Sequence, residues 1–407
     1  MTVAAETPSV AGRLGRLTLL FLAHAVGTAN ITLVLAMAPA IEEALGLGHA
    51  GFGLMVSSYY CALLILALPA GWLADRLGIR AMLVTAHLLL AAGMAVFASA
   101  SGLPVAVLGL MLCGSGYALI NPATARGVLA WFPMRGRATA MGAKQTGVPA
   151  GGVIAALFVA TGQAGWRELA MAVAAVTLLI GIGFLALRSA RFARAGVAPT
   201  RLVDTRSVLV MPRLALFNAA ACLYAGTPAA FFAYLVLFAR DALAAPAAAA
   251  SLCLAAAHVA SAVGRIGWGI ISDVLAHDGR IVSLVICGIA AIAGLALLLP
   301  VPALGGIALL ALAAALLGLT LGGYAGLTQT AAAEAVEPRS AGASIGYNML
   351  LTSVGTMLGP VAFGVTVEWT GYAPAWGIMA AMLALGAGLF HASARYAAPA
   401  SESKTRS

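Results

Sequence analysis

The sequence predicts an all-α membrane protein with twelve transmembrane helices in two pseudo-symmetric six-helix bundles. The chain has 407 residues, of which 62% are hydrophobic and only 9% are charged, whereas soluble domains carry roughly 25% charged residues. A chain this apolar cannot cover itself with a polar surface, so the bilayer must be its solvent. A spanning helix needs about 20 apolar residues. Twelve such runs occur, at residues 17–40, 51–73, 81–100, 104–131, 138–160, 168–187, 213–238, 247–271, 281–299, 303–328, 341–366 and 373–393.

The distribution of Lys and Arg predicts which ends of the helices face the cytoplasm. Most of the 22 basic residues fall in the two tails and in the loops on the same side as the tails. The loops of the opposite side contain only Arg167 and Arg240. Because basic residues concentrate in cytoplasmic loops, we predict a multi-pass protein of the plasma (inner) membrane with both termini in the cytoplasm. The net charge of +9 is then a topology signal and requires no nucleic-acid partner.

A weak repeat divides the chain into two halves. Gly71–Arg80 follows helix 2 and Gly269–Arg280 follows helix 8, and each segment contains Gly, then Asp four residues later, then Arg. The basic, irregular segment Arg188–Arg213 lies between the halves. We therefore predict an N-terminal bundle at residues 1–190, a central cytoplasmic loop at 191–212, and a C-terminal bundle with a cytoplasmic tail at 213–407. Internal repeats of this kind are typical of secondary transporters.

At these residues the chain resembles the major facilitator superfamily. "GWLADRLGIR" is similar to the helix 2–3 signature G-x-L-A-D-R-x-G-R-R, with Ile79 in place of the first of the paired basic residues, and "GVPAGG" (Gly147–Gly152) resembles the helix 5 glycine–proline motif. The resemblance implies two bundles that rock around a central cavity. It also implies a latch, meaning charged contacts between helix ends that hold the cytoplasmic side closed. The alternative role of Asp75 and Asp273 is only to keep the cytoplasmic loops soluble. The latch candidates are Gly71, Asp75, Arg76, Arg80 and Asp273.

The ionisable residues inside the predicted spans are all basic or histidine. A charge at membrane depth costs at least about 2.5–3.5 kcal/mol, so such residues usually face a cavity or a partner. Every Asp and Glu can be placed near a membrane surface, whereas Arg126, Lys144 and Arg265 lie within spans. An excess of positive charge attracts anions, and the planar fork of Arg matches a carboxylate. Carriers of organic cations need buried acids, which the spans do not supply.

Each of these basic residues also has a structural interpretation. Arg126 and Lys144 lie only ~8–10 Å from a predicted membrane surface, within partial reach of snorkelling. Arg265 is eight residues, or ~12 Å, from Asp273. The alternative to a substrate-binding role for Arg265 is a structural one, in which the side chain pairs with backbone carbonyls or water. His258, seven residues before Arg265 on nearly the same face, and His24 in helix 1 are candidate proton carriers. As an alternative, either histidine is a packed hydrogen-bond donor.

The segment around Arg265 narrows the resemblance. "GRIGWGIISD" in helix 8 is similar to the segment of monocarboxylate and oxalate/formate carriers in which an arginine binds the substrate carboxylate, and residues 121–142 resemble that branch and the cyanate permease-like group. Oxalate-type carriers place a second basic residue on helix 11, where this chain has Asn348; Lys144 is at the repeat-equivalent place on helix 5. This departure favours a monoanion. Leu110 and Met111 stand where the drug-efflux branch has an arginine, which argues against proton-coupled drug efflux.

The predicted substrate site combines these charges with polar residues of the same spans. The candidates are Arg265, Lys144, Arg126, His258, His24, Asn30, Tyr59, Tyr117, Asn121, Tyr224 and Asn348. The loops contain no Walker sequence, no zinc-ligand spacing and no nucleophile with a nearby base. We therefore predict neither an enzyme nor a bound cofactor or metal.

We predict a secondary active transporter of a small organic anion, specifically a monocarboxylate. It would work as a monomer by alternating access, with proton symport or exchange for a counter-anion. Two alternatives stay open. One is an exporter of a neutral or amphiphilic compound, in which Arg265 is purely structural. The other is a non-transporting membrane receptor on the same fold.

Overall fold

The computed structural model describes residues 10–133, 136–162, 164–187, 210–275, 279–304, 306–337 and 340–395. Within these ranges twelve helices are long and apolar enough to cross a membrane. We number them α1 to α12: Gly12–Ala36, His49–Ala67, Arg76–Ala98, Leu103–Trp131, Thr139–Ala160, Trp166–Ala186, Pro212–Leu243, Ala247–Val274, Gly279–Leu298, Ile307–Glu334, Ala341–Thr370 and Tyr372–Arg395. The predicted twelve spans are confirmed. The linker predicted at 191–212 falls mainly outside the described residues.

The helix limits differ from the predicted ones where proline or glycine redirects the chain. The first helix ends at Ala36 rather than at residue 40, and a short helix, Ala38–Leu45, follows it. Pro39 lies in the first turn of that helix, where its missing N–H costs nothing. The spans α5 and α10 are each interrupted. The first consists of Arg137–Gln145 and Gly147–Ala160, and the second of Ile307–Leu321 and Ala325–Glu334.

The signature segment between α2 and α3 is helical rather than a loop. His49–Ala98 forms one 50-residue helical stretch whose direction changes at Gly78, with φ 76° and ψ 168°. That positive φ suits glycine, because a residue with a Cβ is strained there. Gly78 therefore supplies the kink near the start of α3 at which the helical stretch changes direction.

Helices of each half cross closely at equivalent glycines. A Cβ atom on Gly151 of α5 would collide with the carbonyl oxygen of Ala25 in α1, and one on Gly355 of α11 would collide with that of Cys222 in α7. Small residues allow membrane helices to approach until their backbones touch. The same contact thus joins the first and fifth helices of each half, as the predicted pseudo-symmetry requires.

The outer surface of the helices is apolar. Ile65, Ile154, Leu179, Ile266 and Leu385 lie on five different spans and are each 59–66% exposed. In water such a surface would be costly, but in a bilayer it contacts lipid tails of the same polarity. Ile266 directly follows Arg265, so one helix presents neighbouring residues to lipid and to the protein interior.

The two halves are joined at one face of the bundle. We call the face at which α1 begins and α12 ends the terminal face, and the opposite one the far face. At the far face, the Tyr234 hydroxyl of α7 donates to the His49 carbonyl of α2 at 2.6 Å. Deeper in, the Val361 amide of α11 donates to Ser57 Oγ of α2 at 3.2 Å. These bonds cross from one half to the other, so the structure is closed at the far face.

Candidate substrate site

A cavity of about 330 Å³ lies between the two halves. The helices α1, α2, α4 and α5 contribute to its wall from the first half, and α7, α8, α10 and α11 from the second. A space enclosed by both halves is where a carrier of this build holds its substrate. Its polar lining includes Thr28, Tyr59, Tyr117, His258, Ser261, Arg265 and Gln329.

Arg265 gives this cavity its electrostatic character. Among the described residues that line it, Arg265 alone has a permanent charge, and no carboxylate lines it. The Nε atom of Arg265 is buried and has no hydrogen-bond partner among the described residues. A buried guanidinium with an unused donor is costly unless an acceptor reaches it. A hydrogen-bond acceptor placed beside α8 would satisfy this donor.

His258 lines the same cavity, where α5 of one half meets α8 of the other. Its ring stacks on Phe232 of α7 with centroids 4.7 Å apart. A Cβ atom on Gly152 of α5 would collide with the imidazole. Its Nε2 atom is buried without a partner among the described residues. His258 thus combines a fixed ring with an unused nitrogen next to the cavity.

Tyrosines of α2 and α4 contribute part of the cavity wall. The Tyr117 hydroxyl of α4 lies 3.3 Å from Thr28 Oγ1 of α1. Its ring lies 6.2 Å from that of Tyr59, which in turn packs edge-on against Tyr60 at 5.2 Å. All four side chains line the cavity. Aromatic faces with a few hydroxyl groups can contact an apolar portion of a small solute and orient its polar portion.

Lys144 lies behind this wall rather than in it. It is 1% exposed and does not belong to the cavity lining. Its Nζ donates to Asn121 Oδ1 and Thr124 Oγ1, each at 3.0 Å, and to His24 Nε2 at 3.3 Å. Three acceptors match the three N–H groups of an ammonium. All of them are neutral groups, so no carboxylate compensates this charge within the contacts of Lys144.

His24 connects the Lys144 cluster to the cavity wall. Its ring lies edge-on to Tyr117, with centroids 6.5 Å apart, and its Nε2 also lies 3.0 Å from Thr124 Oγ1. Its Nδ1 atom is buried without a partner among the described residues. Tyr117 thus separates the buried pair of His24 and Lys144 from the space beside Arg265.

Three other predicted site residues join helices instead of lining the cavity. Asn30 donates from Nδ2 to Val26 O and, at 3.0 Å, to Thr177 Oγ1 of α6. The Tyr224 hydroxyl donates to the Leu284 carbonyl of α9 at 3.3 Å. Asn348 Nδ2 of α11 donates to Asn218 Oδ1 of α7 at 2.9 Å. A fourth predicted residue, Arg126, also does not line the cavity. The binding roles of these residues stay predictions.

The cavity also contains residues that sequence reasoning did not select. Thr28, Phe232 and Ser261 line it together with the predicted residues. Ser261 lies four residues before Arg265 and therefore one turn away on the same helix face, a spacing that could have identified it. Phe232 carried no such signal, because an aromatic residue in an apolar span is usually lipid-facing or packed.

The far face carries an ionic cluster between the halves. Arg240 of α7 binds Glu42 of the short helix through Nη2 at 2.8 Å and its neighbour Asp241 through Nε at 2.5 Å. His49 at the start of α2 lies between the same two carboxylates. The Tyr372 hydroxyl donates to Asp241 Oδ2 at 2.7 Å. The sequence placed Arg240 in a loop on this side, and Glu42 and Asp241 near a membrane surface, but it did not predict that the three residues meet.

The predicted latch at the terminal face is only partly described. The side chain of Asp75 lies outside the described part, and Gly71, Arg76 and Arg80 lie on the exposed side of the helical stretch. Asp273 of α8 pairs with Arg280 of α9, and Arg280 Nε lies 3.5 Å from Glu334 Oε2 of α10. These pairs join helices of the second half. A latch function of the five residues stays a prediction.

Within the described ranges, twelve spans surround a cavity that is closed at one face, which is an arrangement typical of solute transporters. Residues 20–315 match the model of the Major Facilitator Superfamily, and the chain belongs to that family. The predicted membership is thereby confirmed, as is the prediction that the protein is not an enzyme.

Known proteins similar to this chain are transporters. The probable sulfoacetate transporter SauU of Cupriavidus necator is 26% identical over 167 residues, which are 40% of this chain and 38% of that protein's length. A bacterial homologue of the human lysosomal transporter Spinster, in an inward-facing and occupied conformation, has a TM-score of 0.78 at 17% identity, covering 97% of this chain and 100% of its own. The nucleoside transporter NupG has a TM-score of 0.80 at 16% identity, covering 94% and 100%. At these identities the two structures show the fold alone.

Proposed function

We propose that the protein transports a small organic anion, specifically a monocarboxylate, by alternating access. The observation that carries this proposal is Arg265. It is the one permanently charged residue among the described residues of the central cavity, and it has an unused buried donor. A monoanion would neutralise the guanidinium and accept its N–H groups at the same time.

The sign of the charge favours this solute class over cations. A cationic substrate would meet a like charge in a space of low dielectric, where repulsion is strong. A neutral solute would leave the guanidinium uncompensated. A carboxylate matches the planar fork of Arg with two parallel hydrogen bonds. The tyrosines of the cavity wall would contact the remainder of the molecule.

Two further observations support an anion. Lys144 adds a second positive charge behind Tyr117, without a carboxylate in contact. It would raise the potential of the cavity without touching the solute. SauU, one relative of this chain, is a probable sulfoacetate transporter, and sulfoacetate is an organic anion. Because the match spans 38% of that protein, it supports the class of solute and not its identity.

The coupling of transport would use either protons or a counter-anion. His258 lines the cavity with an unused ring nitrogen, so a proton could bind there beside the substrate. Exchange against a second anion would instead use Arg265 in both directions of the cycle. With both termini in the cytoplasm, as the basic loops predict, the terminal face is the cytoplasmic one. We expect the monomer in the inner membrane to be sufficient.

The test is transport by purified protein in liposomes. Radiolabelled acetate, lactate, formate, oxalate and sulfoacetate would be offered with a pH gradient, with trapped unlabelled anion, or with neither. Uptake driven by the gradient indicates proton symport, and uptake driven by trapped anion indicates exchange. The same assays would be run on Arg265→Gln and on Arg395→Gln, which removes an exposed arginine at the terminal face.

The proposal predicts that Arg265→Gln loses uptake by about 100-fold, as expected when a buried charged hydrogen bond is removed, while Arg395→Gln transports normally. Normal anion uptake by Arg265→Gln would remove the arginine from the site. It would favour an exporter of neutral or amphiphilic compounds instead. No flux of any anion by the folded wild-type protein would favour a receptor.

A further inference from the structure

His49 is held between two carboxylates that belong to opposite halves of the protein. Its Nδ1 lies 2.9 Å from Glu42 Oε1, on the short helix that follows α1. Its Nε2 lies 3.4 Å from Asp241 Oδ2, near the end of α7. One imidazole therefore faces an acidic group with each of its nitrogens.

This geometry fits an imidazolium better than a neutral ring. A neutral imidazole has one N–H group and one lone pair, whereas the protonated ring has two N–H groups. Ionised carboxylates accept hydrogen bonds but cannot donate them. A neutral ring would thus turn a lone pair toward one of the two carboxylates. With the proton bound, both nitrogens face acceptors.

The charges of the four side chains in direct ionic contact balance when His49 carries its proton, and Glu368, which binds the amide of Ala50, lies outside this set. Arg240 contributes one positive charge and contacts both carboxylates. Together, Glu42, Asp241, Arg240 and protonated His49 form a cluster with no net charge, and loss of the proton leaves one negative charge in excess. Tyr372 donates to Asp241 and contacts the imidazole ring at 5.6 Å.

Backbone contacts hold the histidine at the seam between the halves. The Tyr234 hydroxyl of α7 donates to the His49 carbonyl, and its ring lies 6.3 Å from the imidazole. The next amide, of Ala50, donates to Glu368 Oε2 of α11 at 3.0 Å. Glu42, His49 and Ala50 come from the first half. Tyr234, Asp241 and Glu368 come from the second. Opening of the far face must therefore separate His49 from Asp241.

We propose that His49 is a proton-binding site that controls the opening of the far face. A proton bound there completes the ionic cluster and stabilises the closed state, and its loss favours opening. The His49 side chain is 21% exposed and does not line the substrate cavity. The proton therefore exchanges with the solution at the far face. The site senses the pH on that side, whichever solute the protein carries.

Hydrogen–deuterium exchange of the full-length protein in nanodiscs would test this directly. Wild type and His49→Gln would be compared at equal pH, so the intrinsic pH dependence of amide exchange cancels. The far-face peptides to follow are residues 38–60 and 234–245. At about pH 5.5, where an imidazole is charged, wild type should exchange more slowly than the variant by roughly fivefold, the upper range for a partly exposed ion pair. At about pH 9 the two should agree.

Two variants make the outcome decisive. His391→Gln removes an exposed histidine at the terminal face and should match wild type at both pH values. Asp241→Asn removes one of the two carboxylates and keeps the imidazole, so it should also lose the pH-dependent protection. A difference between wild type and His49→Gln that is equal at both pH values would make His49 a structural contact only. Equal exchange at both pH values would overturn the proposal as well, and neither result depends on the anion assay.

Discussion

The Nζ atom of Lys144 lies 3.3 Å from His24 Nε2, which joins a buried ammonium of α5 to an imidazole of α1. The two other acceptors of the ammonium, Asn121 Oδ1 and Thr124 Oγ1, are also neutral. Lys144 is thus a buried cation that hydrogen bonds satisfy but no opposite charge compensates. Such an arrangement is typical of a charge kept for function, since replacing buried charges by apolar groups is often stabilising.

We expect Lys144→Met to raise the free energy of unfolding by about 1–4 kcal/mol while it weakens anion binding. The acceptors keep other partners: Asn121 Oδ1 accepts from Gln145, Thr124 donates to the Ile120 carbonyl, and His24 remains next to Thr124. Thermal unfolding in detergent and anion titration would measure both effects, with Lys404→Met in the C-terminal tail as the control. A loss of stability would show that the ammonium serves the fold instead.

Substitution of Arg265 by lysine should separate charge from geometry. Lysine keeps the positive charge but offers a point charge in place of the planar fork. We expect Arg265→Lys to retain carboxylate uptake with affinity reduced by roughly 10-fold, between wild type and Arg265→Gln. Concentration-dependent uptake in liposomes would measure this. If the lysine and glutamine variants lost the same affinity, the positive charge without the planar guanidinium would contribute nothing to binding.

Gly151→Ala should disrupt the crossing of α1 and α5. Its Cβ would collide with the carbonyl oxygen of Ala25, and overpacking of this kind costs about 1–3 kcal/mol. Gly142→Ala is the matched control, because a Cβ there meets nothing within 4 Å. We expect a lower midpoint of thermal unfolding for the first variant and an unchanged or higher one for the second. Equal midpoints would mean that the helices can move apart without loss.

Gly78→Ala should strain the kink near the start of α3. At φ 76° and ψ 168°, a conformation that only glycine adopts readily, an alanine costs about 1–3 kcal/mol. Gly71, in the same signature segment, is helical and open to a Cβ, so Gly71→Ala should not destabilise the protein. Urea unfolding in detergent would compare the two variants. A similar loss of stability in both variants would mean that the signature segment tolerates no added methyl group, and that the backbone angle of Gly78 is not the cause.

Local patterns in the sequence were enough for the spans but not for the site. The length of each apolar run is a property of neighbouring residues, and all twelve runs correspond to helices. The position of Arg265 in the cavity followed from the cost of its charge in lipid and from the lack of nearby acids. By contrast, Tyr224 and Asn30 are polar residues of inner spans, like Tyr117, yet they point at neighbouring helices. Which face of a span turns inward depends on packing between helices, and packing leaves little trace in one sequence.

The far-face cluster shows the same limit. Glu42, His49 and Arg240 occur in the sequence as unremarkable charged residues beside apolar runs. They meet only because α2 of one half begins at the same face where α7 of the other half ends. Hydrogen bonds such as the one from Tyr234 to the His49 carbonyl depend on that meeting. No periodicity within a helix encodes it.

The contact between Gly152 of α5 and His258 of α8 joins the two halves beside the cavity, and we expect it to lie near the pivot of their motion. In the alternating-access cycle that we propose, each half turns as a rigid body, and an atom moves in proportion to its distance from the axis. Groups beside the α5–α8 contact would travel little, whereas His49 and Asp241 would travel far. Arg265 would then stay in contact with a bound solute throughout the transport cycle, while the far face and the terminal face open in turn.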